Sequence, residues 1–599
     1  MAVTTATQRR RLSKGRRRRL LWGIALTAPA LVSQVAAQPA ASSDTTSAGT
    51  GPAVGGVLSD GRSPGGFGYD PGTRVGLSPG SAVRPGTLGF PYTAFDRPLD
   101  DPGAPPEEPA RTVTLVPSVA LELTYNDNID ARAHDRRDDL IVRVRPALLL
   151  NVDSVRLQGT FNYAPSVEFY TQNSDENRVN QNFNGQGLAT VVPGLFFVDV
   201  RGSAAVQSLS GSGSAYDEAS SSRNNQVQTY SFSVSPFVTY RFGGLASLRA
   251  GYVMQYVNQD RLDRDDPLPF ENVPPDQRQF SFTPSEYTSH QFYGVVRTGE
   301  DFGRLAMQGS LSSTTYDGDG LYDGAFRNIG LLETRYAITP TVAGLVELGY
   351  ETQRFNTIPK TDISEMVWAV GVRLTPTPES VIIAKYGKRD GFESFYFNGT
   401  LEVGARTRLF ANYSEQLTTS ALSAGDLLAS TTLDPLGNPV DAMTGAPVLP
   451  SFANNTLGVQ SGLFKQTAAS ISASQAWLRD TFTLTLSYTE REPVASAPGA
   501  TTQPFGQKAT SVSLSWSHDL TERATLTSYG QYSRTSSDTA NDGNSYTGGA
   551  VLSYLLSPTL TGSLSYRFRV SDGGSATGNA LDDGTVVQNI VTVGVRQTF

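Results

Sequence analysis

A transmembrane antiparallel up-and-down β-barrel is the fold this sequence predicts, and three observations predict it. Apolar and polar residues alternate with period two from Thr112 to Phe599. The connections between these runs are short and long by turns. The last run is itself a strand. In it Val587, Val591, Val593, Val595 and Phe599 share one face, and Gln588, Thr592, Gly594, Arg596 and Thr598 share the other. A strand ending on an exposed aromatic would be an aggregation hazard in water. It fits the closing stave of a barrel whose outer face meets lipid.

Composition narrows the class. The 599 residues are 38% hydrophobic with a mean hydropathy of -0.25, and the longest apolar run, Leu20 to Val32, is too short for a membrane helix. A helical membrane protein is excluded. Charged residues make up 17%, against 58 Gly, 25 Tyr and 28 Phe, which suits strands with one lipid face, one wet face and many turns. There is no cysteine, so no disulfide framework or thiolate metal site is expected. The three histidines, His134, His290 and His518, are too scattered in sequence to promise a catalytic or metal centre. No cofactor is expected. A net charge of -8 argues against nucleic acid as a partner.

The chain divides into three parts. Residues 1–37 read as a signal peptide: a basic stretch from Arg9 to Arg19, the apolar run Leu20–Val32, and the small-residue cleavage site Val35-Ala36-Ala37. Arg9-Arg10-Arg11-Leu12-Ser13-Lys14 resembles a twin-arginine signal, but that route carries folded cargo and a barrel must arrive unfolded. Residues 38–110, rich in Gly, Pro, Ser and Asp and lacking periodicity, read as a disordered periplasmic linker or docking arm. Residues 111–599 read as the barrel.

The first strand alternates Val113, Leu115, Val119, Leu121, Leu123 and Tyr125 with Thr114, Ser118, Ala120, Glu122 and Thr124. The third alternates Val155, Leu157, Phe161, Tyr163, Val167 and Phe169 with Arg156, Gln158, Thr160, Asn162, Ser166 and Glu168. Short connections are expected at Asn151–Asp153, Pro193-Gly194, Gly243-Gly244, Gly299–Gly303, Thr339-Pro340, Thr375–Pro378, Arg479-Asp480 and Ser557-Pro558. Long ones are expected at Ser210–Asn225, Gln259–Glu286, Ala421–Phe464, Pro493–Gly506 and Ser571–Thr585. Short periplasmic turns and long extracellular loops give about 22 strands, within a range of roughly 18 to 22. The loop Ala421–Phe464, with Pro435, Pro439, Pro447 and Pro450, reads as an irregular lid long enough to enter the pore.

Two resemblances follow. Phe599 closes a strand that resembles the terminal signal by which bacterial outer-membrane barrels engage their insertion machinery, with Gln597 where a second aromatic is usual. The opening strand with Pro117, then Tyr125-Asn126-Asp127-Asn128-Ile129, Asp138-Asp139 and Arg143-Val144-Arg145-Pro146, resembles the start of a family of bacterial outer-membrane β-barrel porins. Members of that family are often associated with exopolysaccharide secretion. The resemblance implies an export barrel in the outer membrane, meeting lipid and lipopolysaccharide, a secreted polysaccharide and periplasmic export components. A solute-diffusion porin, an outer-membrane enzyme and a structural barrel are the alternatives.

Alternation also assigns the lumen. Placing Leu140, Val142, Val144, Leu148 and Leu150 on lipid puts Arg143 and Arg145 inside. The same register puts Arg156, Arg201, Arg249, Arg335, Arg373, Lys385, Arg567 and Arg569 inside, with Glu122, Glu168, Asp199, Glu333, Glu347, Glu351 and Glu402. An arginine facing lipid at the midplane costs about 2–4 kcal/mol, which favours this register. Such a lumen is mildly basic and would favour anions, unless its charges simply pair across neighbouring strands. Tyr170, Phe197, Phe237, Tyr396, Phe410 and Tyr529 also fall inside. They could stack on sugar rings or serve as local packing. The acidic clusters Asp260-Asp263-Asp265-Asp266, Asp317-Asp319-Asp323 and Asp582-Asp583 lack the spacing of a calcium loop and read as solvated loop charge. No catalytic or metal site is assigned.

Overall fold

The computed structural model describes residues 112–209, 223–261, 284–377, 380–404, 406–422, 431–433, 439–441, 457, 459–500, 504–538, 542–572 and 584–599. The expected signal peptide and the Gly/Pro-rich segment lie outside them.

Period-two alternation becomes one sheet closed on itself. Its first staves are β1 (Thr112–Asn126), β2 (Asp139–Asp153), β3 (Leu157–Tyr163 with Ser166–Tyr170), β4 (Arg178–Asn180 with Phe183–Val192), β5 (Phe196–Ser208), β6 (Gln226–Phe242) and β7 (Ala246–Arg261). Then come β8 (Ser285–Thr298), β9 (Leu305–Gly318), β10 (Phe326–Ala337), β11 (Val342–Phe355), β12 (Thr361–Thr377), β13 (Ser380–Arg389), β14 (Phe392–Val403) and β15 (Thr407–Thr419). The wall ends with β16 (Gly462–Ala476), β17 (Asp480–Ser496), β18 (Gln507–Thr521), β19 (Ala524–Ser537), β20 (Gly543–Ser557), β21 (Leu560–Asp572) and β22 (Val586–Thr598). β3 and β4 are each interrupted once, so the 24 hydrogen-bonded segments make 22 staves.

The interruption has a local cause. Pro165 has no N–H to give the ladder, and Gln181-Asn182 lies opposite it. The Ala164 N–H still donates to the Asn182 carbonyl at 2.8 Å. Register on β2 runs on unchanged, with Leu148 facing Tyr163 and Val144 facing Val167.

Closure joins β22 to β1, from Ser118↔Thr598 to Asn126↔Ile590. The Phe599 N–H donates to the Pro117 carbonyl at 2.9 Å, and the Phe599 ring is 71% exposed. The short connections gather at the end where β1 starts and β22 stops, and the long ones at the other. We name these the periplasmic and extracellular ends. Two turns are displaced from their expected places: Asn151–Asp153 belongs to β2, with the chain reversing over Ser154–Arg156, and Thr375–Thr377 belongs to β12, where Thr377 pairs with Ser380. Arg156, expected in the lumen, is therefore an exposed turn residue.

The two faces of the wall are inverted relative to a water-soluble protein. Leu115, Phe292, Leu311, Met366 and Leu514 are exposed on the outside, while Gln255, Gln291, Gln353 and Ser511 are buried on the inside. Exposed aromatics ring both ends of the outer face: Tyr240, Phe242 and Trp477 at the periplasmic end, Tyr125, Tyr350 and Tyr546 at the extracellular end. Apolar outside, polar inside and closed without an edge is the surface of a barrel that spans a lipid bilayer.

Candidate functional site

The lumen wall around the closure carries a ladder of charge. Arg143 on β2 donates its Nε to Glu168 on β3 at 2.7 Å and its Nη1 to Glu122 on β1 at 3.2 Å. Arg145 lies 3.5 Å from Glu122, and Arg178 on β4 donates to Glu168 at 2.8 Å. Arg178 also donates to the Tyr170 hydroxyl at 2.7 Å. Glu168 is fully buried between the two guanidinium groups. The ladder continues into the extracellular loops, where Glu176 accepts from Arg137 at 3.1 Å and Arg137 pairs with Asp130 at 2.7 Å. The Asp130 and Glu176 carboxylates beside Arg137 hold its guanidinium more firmly protonated than usual.

At the extracellular rim, Asp139 pins the β3–β4 loop. Its carboxylate accepts from the Thr171 N–H (2.9 Å) and hydroxyl (2.8 Å), the Gln172 N–H (3.1 Å) and the Asn173 N–H (2.8 Å). Asp139 is the outermost residue of a 15-residue strand, beyond the roughly 9–11 residues a bilayer-crossing strand needs. Burial raises its pKa, but these donors outweigh that and hold the carboxyl below the usual range.

Arg567 and Arg569 sit inside on β21, and Arg596 inside on β22. Between the rims, β21–β22 and β1–β4 thus present Arg143, Arg145, Arg178, Arg567, Arg569 and Arg596 against only Glu122 and Glu168. Arg567 donates its Nε to the Tyr529 hydroxyl on β19 at 2.9 Å. The contact passes over Gly549 of β20, where a Cβ would lie 2.8 Å from that hydroxyl. Arg201 on β5 pairs with Asp199 on its own strand at 2.9 Å.

The far wall is built differently. Glu333 on β10 and Glu347 on β11 face each other directly in register. Lys385 on β13 reaches both, lying 3.2 Å from Glu347 and in contact with Glu333. Its stem crosses Gly371 of β12, where a Cβ would meet the Lys385 Cγ at 2.8 Å. One lysine thus offsets a like-charge pair that would otherwise be destabilising. Nearby Arg327 donates to Asp390 at 2.7 Å. Arg327, Arg335, Arg373, Lys385 and Arg389 share this wall with Glu333, Glu347, Glu351, Glu365 and Asp390.

The lumen aromatics make local contacts. Tyr170 packs with Ile129 and Ile141, and Tyr396 with Leu345, Val381 and Ile383. Phe197 stacks on Phe237 at 5.3 Å, with the Arg249 guanidinium 4.4 Å above the Phe237 ring. Tyr529 serves Arg567. These are local packing contacts in the wall.

Sequence reasoning missed the extracellular mouth of the far wall. β13 and β14 are short, and their hairpin turns at Asp390-Gly391, both in the left-handed region (φ 56° and 83°). Above this dip, β12–β13 pairing stops at Trp368↔Lys388 and β14–β15 pairing at Phe397↔Tyr413. The loop after β11 crosses the dip, and Ile358 exchanges two backbone hydrogen bonds with Ser496 of β17, at 2.9 and 3.0 Å. Beneath lies a buried cluster containing Tyr287, Tyr316, Tyr322, Phe355, Leu417 and Leu463. The Tyr322 hydroxyl is 2.5 Å from that of Thr419. Asp390 accepts from Gln353 at 3.0 Å and the Leu417 N–H at 3.4 Å as well as from Arg327. The Asp-Gly dipeptide between two apolar runs was the one sequence signal for this hairpin.

The remaining candidates scatter. His290 lies within β8 on the outer face, 2.6 Å from the Tyr252 hydroxyl. His518 bonds Asp480 at 2.7 Å beside Trp516, at the periplasmic rim of the outer face. Among the described residues no cluster of three metal-ligating side chains exists. Asp263, Asp265, Asp266, Asp582 and Asp583 lie outside the described residues, as does most of Ala421–Phe464. Within that loop Thr431–Leu433 pairs with Pro439–Asp441, a short hairpin where an irregular lid was expected.

No family model and no curated protein matches the chain. Among solved structures, it is similar to the siderophore receptor PirA from Pseudomonas aeruginosa at 11% identity, with 82% of this chain and 81% of that one covered and a TM-score of 0.36. The FrpB iron transporter from Neisseria meningitidis (F3-3 variant) is similar at 9% identity, with 81% of each chain covered and a TM-score of 0.42. OmpT, an outer-membrane protein of Vibrio cholerae, is similar at 10% identity, with 82% of this chain and 99% of that one covered and a TM-score of 0.26.

Proposed function

We propose that the protein is a transport conduit of the bacterial outer membrane whose lumen prefers anionic solutes. One observation carries the reading: a barrel of 22 staves encloses more room than its own wall side chains fill, and one wall of that room is lined by arginine. The resemblance of the opening segment, Tyr125 to Pro146, extends the reading to an export barrel serving exopolysaccharide secretion, with periplasmic export components as partners. An acidic polysaccharide is the cargo such a wall would suit. A solute-diffusion porin is the alternative, supported by the same charge.

Planar-bilayer recording tests the conduit. In a salt gradient the protein should conduct with anion preference, and the combined replacement of Arg143, Arg145, Arg567 and Arg569 by Gln should shift the reversal potential toward cations. Excising Ser423–Ser451 should raise conductance if that loop obstructs the pore. Negligible conductance of both wild type and loop deletion would sink the conduit. Loss of surface polysaccharide in a deletion strain separates export from solute uptake.

A further inference from the structure

Among the described residues, the seam wall holds a buried charged group, Arg569, that no carboxylate answers. Arg569 is 5% exposed, and its Nη2 has no hydrogen-bond partner. Register places Thr547 and Gln588, both uncharged, on its two sides. No carboxylate of the described residues lies within 4.0 Å of it. The carboxylates of the same wall are already engaged, Glu122 by Arg143 and Arg145, Glu168 by Arg143 and Arg178. A buried guanidinium without a counter-charge is costly, so a wall that keeps one has a use for it.

Its neighbours complete a receptor. Arg567 stands two residues away on the same face of β21 and donates its Nε to the Tyr529 hydroxyl at 2.9 Å. That hydroxyl accepts from Arg567 and so retains its own proton to donate. The loop after β1 borders the niche on the extracellular side. Gln588 donates to the Asn128 carbonyl at 2.7 Å, and Ala131 and Ala133 pack on Val586.

We propose that Arg567, Arg569 and the Tyr529 hydroxyl form an anion-binding station on the lumen wall, taking one carboxylate or phosphate group of a solute. The guanidinium fork of Arg569 suits the paired oxygens of either group, and the tyrosine hydroxyl adds a directed donor. This rests on the conduit reading and gives it a place where the solute pauses.

Binding is read on the detergent-solubilised full chain, separately from conductance. Inorganic phosphate and a galacturonate trimer are titrated calorimetrically, which distinguishes a small phosphate from a carboxylated sugar as the group preferred. Wild type should bind at least one of them saturably. Arg569→Gln should weaken that binding tenfold or more, Arg569→Lys less, and Tyr529→Phe a few-fold. Arg354→Gln on the outer face should leave it unchanged, and heat-modifiable migration checks that each variant is folded. No saturable binding by folded wild type overturns the station, and so does equal binding by Arg569→Gln. Anion-selective conductance without binding overturns the station alone. Binding that depends on Arg569 without conductance supports the station and sinks the conduit.

Discussion

The wall at the closure and the wall opposite are made of the same alternating strands, yet they treat charge in opposite ways. Around β21, β22 and β1–β4, arginines outnumber the carboxylates that face them. Around β10–β14, the acids and bases interlock: Lys385 sits between Glu333 and Glu347, and Asp390 accepts from Arg327. The second wall also carries the inward-folded mouth, with Ile358 bonded to Ser496 across the dip above β13–β14. Paired charge stiffens a wall, whereas surplus charge of one sign is available to a solute. The far wall is thus braced by paired charge, while the closure wall keeps a surplus of arginine.

Breaking the closure-side ladder should have the largest effect. Glu168→Ala leaves Arg143 and Arg178 buried without their shared partner, and such losses cost about 3–5 kcal/mol. The urea midpoint of the folded barrel, followed by heat-modifiable migration, should fall accordingly. A stability unchanged within error would show that the ladder is not what holds β2 to β4.

Asp390→Ala attacks the opposite wall. It takes from the buried Arg327 one of its acidic partners, at about 3 kcal/mol, the low end of that range, and removes the acceptor that ties the hairpin tip to Gln353 and Leu417. The mouth should loosen, so single-channel conductance should rise while ion preference stays with the closure wall. A shift in selectivity instead would blur the division between the two walls.

Asp139 sharpens the comparison at the rim. Its carboxyl is held below the usual range by loop donors, so its contribution is present above the ordinary carboxylate pKa and is lost as pH falls through the lower folded-state value. Hydrogen-exchange protection of the Thr171, Gln172 and Asn173 amides should therefore survive mild acid and fail only below the usual carboxylate range. Asp139→Asn should lose about 1.5–3 kcal/mol of that protection at neutral pH. A protection that fades at the ordinary pKa would mean the donors do not hold the carboxylate.

Tyr322→Phe is the mildest test. It removes the hydroxyl contact to Thr419 and leaves the aromatic packing of the mouth in place. The expected loss is about 0.5–1.5 kcal/mol, with a slight rise in open-channel noise. A large effect would make that one hydrogen bond, rather than the apolar cluster, the fastening of the mouth.

The sequence by itself determined whatever depends on neighbours along the chain. Strand alternation, the facing of Arg143, Arg145, Arg567 and Arg569 into the lumen, and the gathering of short turns at one end all follow from a side-chain period of two. So does the closing role of Val586–Phe599, since its apolar face needs lipid. Tertiary structure decided what depends on how far a side chain reaches across staves. Lys385 meets Glu333 only because Gly371 leaves its stem a path, and Tyr529 meets Arg567 only across Gly549. The Ile358–Ser496 bridge joins residues far apart in sequence, brought close by the dip that two short strands leave in the wall. Arg156 shows the limit from the other side: alternation placed it inside, but a turn three residues further along the chain put it in water, because period two says nothing of where a strand stops.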